Sequence, residues 1–217
     1  RLSLPTTSLI SESVHVDSQQ WDERYSATEF VWATGPNQFV EAELAGLPPG
    51  RAIDLAAGEG RNTVWLAERG WRVTAVDFSR VGLDKGRSLS AARGVPRERV
   101  DWILADLSDY QPEPGAYDLA LIAYLQVGPK VRATVLARAA AALAPGGTAF
   151  IVAHDLANLS EGTGGPQDPE VLYTPEAVRT ELPGLRILRA ERVRRTVARE
   201  DGPATAIDTL VHAAREA

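Results

Sequence analysis

The chain has 217 residues, 44% of them hydrophobic and 24% charged, with a formal net charge of -6. This is the composition of a single soluble globular domain with a sizeable core, and the acidic balance gives no basic footprint for nucleic acid or an anionic membrane, leaving a small or neutral substrate as the expected partner. The lack of cysteine excludes disulfides, thiolate metal sites and cysteine nucleophiles.

No apolar run approaches the ~18 residues of a membrane span, and the start RLSLPTTSLISESVHVDS lacks a signal-peptide core. A cytoplasmic monomer or homodimer is expected. Residues 1–18 are Ser/Thr-rich without periodicity and predict a flexible tail. Residues 19–47 predict two helices, one from Gln20 through Tyr25 and one from Asn37 to Leu44. Trp21, Tyr25 and Trp32 there either pack on a sheet edge or form an aromatic wall suited to a cation. Leu47-Pro48-Pro49-Gly50 is a turn that opens the core fold.

From Ala52 to Ala57 an apolar strand runs into Gly58-Glu59-Gly60. A helix to Arg69 follows, then a strand from Trp71 to Val76 that ends on Asp77. The glycines let a ligand lie against bare N–H groups. Asp77 stands where a carboxylate accepts from two ribose hydroxyls. Position 63 is Thr63, where a dinucleotide fingerprint needs its third glycine, which weakens an NAD reading. Ser79 predicts the cap of a helix to Arg93. A strand from Val100 to Ala105 stops at Asp106-Leu107, and the apolar strand Tyr117 to Ala123 ends in Tyr124-Leu125-Gln126.

A helix from Lys130 to Leu143 and an Ala144-Pro145-Gly146-Gly147 turn lead to a strand, Thr148 to Ala153, and then His154-Asp155. His154 is either a histidine satisfied by nearby backbone or a general base, with Asp155 or another acid fixing its tautomer. The three histidines are too scattered for a metal. Residues 158–169 predict a long irregular connection. It is either passive or a lid hinged at Gly162, Gly164 and Gly165 over an acceptor pocket. Thr174-Pro175-Glu176 starts a helix. The strands Leu185 to Arg194 and Thr205 to Ala213, joined through Glu200-Asp201-Gly202-Pro203, form a hairpin.

The stretch from Asp54 to Asp77 resembles motif I of the class I S-adenosylmethionine-dependent methyltransferases, an acid followed by GxGxG, with Ala56 in place of the first glycine. The resemblance implies a Rossmann-like, doubly wound α/β fold. Its seven strands take the order 3-2-1-4-5-7-6, with the last antiparallel and helices on both faces. It implies that Asp54 and the loop Ala56, Gly58, Gly60 hold the methionine part of S-adenosylmethionine, with Asn62 near its carboxylate. Asp77 holds the ribose, Phe78 lies on the adenine, and Asp106 and Leu107 meet the adenine edge. Trp21 to Tyr25 is similar to the WDxRY element of small-molecule methyltransferases, whose helix closes over the cofactor and brings Tyr25 and Trp32 to the sulfonium or the substrate. Tyr124, Gln126, His154 and Gly164 fall on the acceptor side, Tyr124 and His154 as catalytic candidates. The pattern is most similar to the bacterial tellurite-resistance and ubiquinone-biosynthesis types. The expected activity is methyl transfer to an O, N or S nucleophile of a small acceptor. The alternatives are a non-catalytic S-adenosylmethionine-binding regulator and, less favoured, an NAD-dependent oxidoreductase.

Overall fold

The computed structural model describes residues 18–31, 33–199 and 202–217. The expected tail therefore lies outside the described residues apart from Ser18, as do Trp32 and the Glu200-Asp201 half of the predicted hairpin turn. Among the described residues, seven strands form one sheet in the order β3-β2-β1-β4-β5-β7-β6. The strands are β1 (Arg51–Leu55), β2 (Arg72–Asp77), β3 (Val100–Leu104), β4 (Tyr117–Ala123), β5 (Leu143–His154), β6 (Leu185–Val197) and β7 (Ala204–Arg215). β1 to β5 pair in parallel, and β7 runs antiparallel to both β5 and β6. The helices are α1 (Ser18–Ser26), α2 (Gln38–Leu44), α3 (Arg61–Glu68), α4 (Arg80–Ala92), α5 (Pro129–Ala142), α6 (Asn158–Glu161) and α7 (Pro175–Thr180).

Strand periodicity divides the core between the two faces of the sheet. On β4, Leu119 and Leu121 pack with Val40 and Leu44 of α2 and Leu66 of α3, while Ala120 and Ile122 pack with Val135 and Leu136 of α5 and Val178 of α7. Both faces are covered, which is why β4 reads as a continuous apolar run.

Three departures from the sequence expectations have local causes. β5 begins at Leu143 rather than Thr148, because Leu143 pairs with Tyr117 before the register shifts to Leu119↔Thr148, so the Pro-Gly-Gly segment is absorbed as an irregularity of the strand. The connection after His154 is less irregular than predicted: the Asp155 carbonyl accepts from Asn158 N at 3.0 Å at the start of α6, and a 3-10 turn spans Pro169–Val171. β6 and β7 outrun their predicted ends, because their pairing continues to Val197↔Ala204 at one end and Leu185↔Arg215 at the other.

The glycine loop is set by close packing of α4 on Trp102 of β3. Gly60 has φ 75, and a Cβ on it would stand 2.6 Å from the Trp102 ring; a Cβ on Gly86 of α4 would stand 2.5 Å from the same ring. Gly86→Ala gains up to about 1 kcal/mol of helix propensity but overpacks this contact, which costs typically 1–3 kcal/mol. The expected result in urea denaturation is net destabilisation, reversed to stabilisation in a Trp102→Ala background. Destabilisation of equal size in both backgrounds would show that Trp102 is not the obstacle.

Candidate active site

The carboxyl ends of β1, β2, β4 and β5 open on one cavity of about 970 Å³. Strand ends are where open α/β sheets place ligands. Ala56, Gly58, Asn62, Asp77, Phe78, Asp106 and Leu107 line one part of it together with Tyr25; Tyr124, Gln126 and His154 line another. Asp54, Gly60 and Gly164 are not on its wall. Asp54 lies beneath the loop, 2% exposed, and accepts from Thr63 Oγ1 at 2.6 Å. The residue that breaks the dinucleotide fingerprint is thus the hydroxyl that satisfies this acid.

The loop turns through left-handed conformations at Ala56 (φ 69), Gly58 (φ 54) and Gly60 (φ 75). A non-glycine residue held there stores about 1–2 kcal/mol of strain, and such strain collects at ligand sites. Asp77 fastens the loop: Oδ2 accepts from Gly58 N at 2.8 Å and Oδ1 from Ser79 N at 2.8 Å. Burial raises the Asp77 carboxyl above its ordinary value against the lowering effect of these bonds. Burial likewise raises Asp54, to about 7, with the Asp77 charge adding to the rise. Two neighbouring buried acids at adjacent strand ends give this end of the cavity a polarity that favours a cation.

α1 is latched over the loop. Asp22 accepts from Ser79 Oγ and from Val81 N at the start of α4. Lys85 of α4 donates to the carbonyls of Tyr25 and Thr28 and pairs with Glu59 at 3.1 Å. Glu59, 3% exposed between the two glycines, accepts from Val31 N at 3.0 Å. Asn37 caps α2 with its side-chain oxygen, donates its N–H to Asn62 Oδ1 at 2.9 Å and reaches Tyr124 Oη with Nδ2 at 3.2 Å. In this way the segment before the core fold is tied to both ends of the cavity.

At the other end a buried polar cluster joins β4, β5, β6 and β7. Tyr124, held at φ 59, donates to Asp208 Oδ2 at 2.9 Å, and Arg195 Nε donates to the same oxygen at 2.6 Å. Burial, with the Asp208 charge second, raises the Tyr124 phenol far above its ordinary value, so Tyr124 acts here as a donor. His154 packs against Tyr124 with the rings tilted by 50° and their centroids 4.8 Å apart. Asp155, expected as a possible partner of His154, is engaged elsewhere: it accepts from Ala157 N, Arg192 Nε and Thr209 Oγ1. The acid facing His154 is Asp208, its register partner on β7. Sequence reasoning missed Asp208, Arg195, Glu59 and Lys85. A lone acid inside the apolar run of the last strand was a signal for Asp208; nothing local marked Arg195 among the many arginines of β6.

The segment after α6 lies against this cluster. Asn158 donates Nδ2 to Gly164 O at 2.7 Å and accepts at Oδ1 from Ile207 N at 2.8 Å. Gly165 sits against the His154 ring, and Asp168 reaches the cavity wall.

Fold and loop together are similar to those of class I methyltransferases. Residues 52–147 match the family model described as a methyltransferase domain. Demethylmenaquinone methyltransferase from Clavibacter sepedonicus is 30% identical over 104 residues, 46% of this chain and 41% of that protein. The chain thus matches less than half the length of this relative. Among solved structures, TehB from Haemophilus influenzae is 14% identical with TM-score 0.70, covering 92% of this chain and 67% of TehB. The Burkholderia thailandensis 1,6-didemethyltoxoflavin-N1-methyltransferase, solved with 1,6-didemethyltoxoflavin and S-adenosylhomocysteine, is 22% identical with TM-score 0.57, covering 91% of this chain and 79% of that one. At these identities the structural likeness is one of fold.

Proposed function

We propose that the chain transfers the methyl group of S-adenosylmethionine to an O, N or S nucleophile of a small acceptor, with residues 19–217 working as one domain whose 19–47 helices close over the cofactor. The observation that carries this is the single cavity reaching from Asp77 and Phe78 to Tyr124 and His154. Its volume is at the upper end of the roughly 300–1,000 Å³ of small-molecule sites, room for a cofactor and a second small ligand. The Burkholderia thailandensis structure, solved with 1,6-didemethyltoxoflavin and S-adenosylhomocysteine, supports the same choice.

The residues present fit the cofactor. Left-handed Ala56 and Gly58 curve the loop along the cavity wall, Asp77 keeps acceptor capacity on a carboxylate that already takes two N–H bonds, and Phe78 offers a ring beside it. In this reading Asn62 and Arg61 meet the methionine carboxylate at the start of α3, and Asp106 and Leu107 meet the adenine. Tyr25 closes the cleft from above, and Asp54 sets the charge beneath the loop. S-adenosylmethionine, when bound, supplies a methyl group already activated on a sulfonium. The chain has to hold the nucleophile in line, exclude water and take up a proton where the nucleophile carries one. Tyr124 and Gln126 orient the acceptor, His154 faces it, and the 162–165 segment with Gly164 covers it as a lid.

Calorimetry tests the cofactor assignment. S-adenosylmethionine and S-adenosylhomocysteine are expected to bind and NAD to give no heat; binding of NAD alone would overturn the assignment.

A further inference from the structure

His154 and Asp208 are partners across the β5–β7 register, with Nδ1 and Oδ1 3.3 Å apart. These two atoms are the buried side-chain polar atoms without another hydrogen-bond partner among the described residues. Asp208 is fully buried, and its other oxygen already takes two donors, from Tyr124 and Arg195. A buried carboxylate oxygen and a buried ring nitrogen left unpaired are each costly. One arrangement satisfies both, a proton on Nδ1 directed at Oδ1, and the Arg195 guanidinium balances the acid's charge.

We propose that Asp208 is a positioning residue that keeps the His154 proton on Nδ1, leaving Nε2 bare toward the cleft to accept the proton of a hydroxyl or amine nucleophile. The surroundings of the ring agree. Nδ1 is sealed from solvent while His154 still lines the cavity, so the edge that reaches the cleft is the other one. Gly165, at φ 75, seals it: a Cβ there would stand 3.1 Å from Nδ1, and any side chain would press on the imidazole. A fixed second partner is the general way in which proteins choose a histidine tautomer. As the nucleophile's lone pair closes on the methyl carbon and the carbon–sulfur pair returns to sulfur, the nucleophile's proton passes to Nε2 and from there to solvent. This role rests on the methyl-transfer reading above, whereas the pairing itself does not.

The test is a long-range proton–nitrogen correlation spectrum of uniformly nitrogen-15-labelled protein saturated with S-adenosylhomocysteine, the His154 signals being assigned by their loss in His154→Gln. The wild type is expected to show a protonated Nδ1 and an unprotonated Nε2. In Asp208→Asn the carboxamide oxygen is held by the Tyr124 and Arg195 donors, so its N–H turns to His154 and the ring proton moves to Nε2, with affinity for S-adenosylhomocysteine unchanged. A wild-type His154 protonated at Nε2 overturns the proposal, and this measurement needs no variant to fold. Failure of S-adenosylhomocysteine to bind the wild type overturns the methyl-transfer reading instead, and the tautomer of the unliganded protein then still decides the pairing.

Discussion

Asp77→Ala is expected to weaken S-adenosylhomocysteine binding by about 1.5–3 kcal/mol, the scale of charged hydrogen bonds lost from a buried site, or roughly 10- to 150-fold in Kd. Two effects act in the same direction. The carboxylate loses its bonds to the ligand, and the loop loses its fastening, since Asp77 holds Gly58 N and Ser79 N from one side chain. Asp77→Asn does not rescue this, because an amide offers one oxygen where two N–H groups have to be met and turns a donor toward the other. Asp106→Ala is expected to cost less: Asp106 Oδ1 is committed to a local turn with Ser108 N at 2.8 Å, and the residue is exposed. Titration calorimetry of the three variants checks the ranking, and an Asp77→Ala affinity equal to wild type would remove Asp77 from the site.

What was legible in the sequence follows from how locally each feature is determined. The strand–loop–helix–strand unit from Ala52 to Asp77 could be read because its turn requires glycines, its strands are buried on both faces and its acid ends a strand; all three are properties of neighbouring residues. Thr174 as the cap of α7 was legible for the same reason, its hydroxyl accepting from Ala177 N at 3.2 Å. The His154 partner was not, because Asp208 meets it through strand register some fifty positions along the chain. The adjacent Asp155 is the tempting choice, but the alternation of a strand turns it to the opposite face. Glu59 stands between two glycines with no local sign of a role, which appears only when the segment after α1 and Lys85 fold back on it. Long-range charge pairs leave no local pattern, so the parts of the site made from β6 and β7 had to come from the fold.

The resting protein should lose stability as pH rises through neutrality, and Asp54 should account for a large part of the loss. Its carboxyl, ordinarily near 3.8, is raised to about 7 in the folded chain, first by burial and then by the Asp77 charge, with the Thr63 hydrogen bond opposing. The folded state therefore holds a proton that the unfolded chain releases between pH 3.8 and about 7. The stabilising effect is fully present below this interval, declines across it and is gone above it. At about 1.4 kcal/mol per pH unit, it amounts to about 4 kcal/mol over the interval. Asp54→Asn keeps an oxygen for the Thr63 hydroxyl, bonded at 2.6 Å, and removes the ionisation. In urea denaturation without cofactor, the variant should meet the wild type only below about pH 3.8, exceed it by under about 2 kcal/mol at pH 5 and by about 4 kcal/mol at pH 8; taking the difference cancels every other titrating group, since both proteins share them. Parallel curves for the two proteins would mean that Asp54 titrates normally. If the curves diverge as expected, ionising Asp54 is a cost the free protein bears at neutral pH, and a cation bound above the loop would offset it. S-adenosylmethionine should then raise wild-type stability more at pH 8 than at pH 5, and should raise that of Asp54→Asn by the same amount at both.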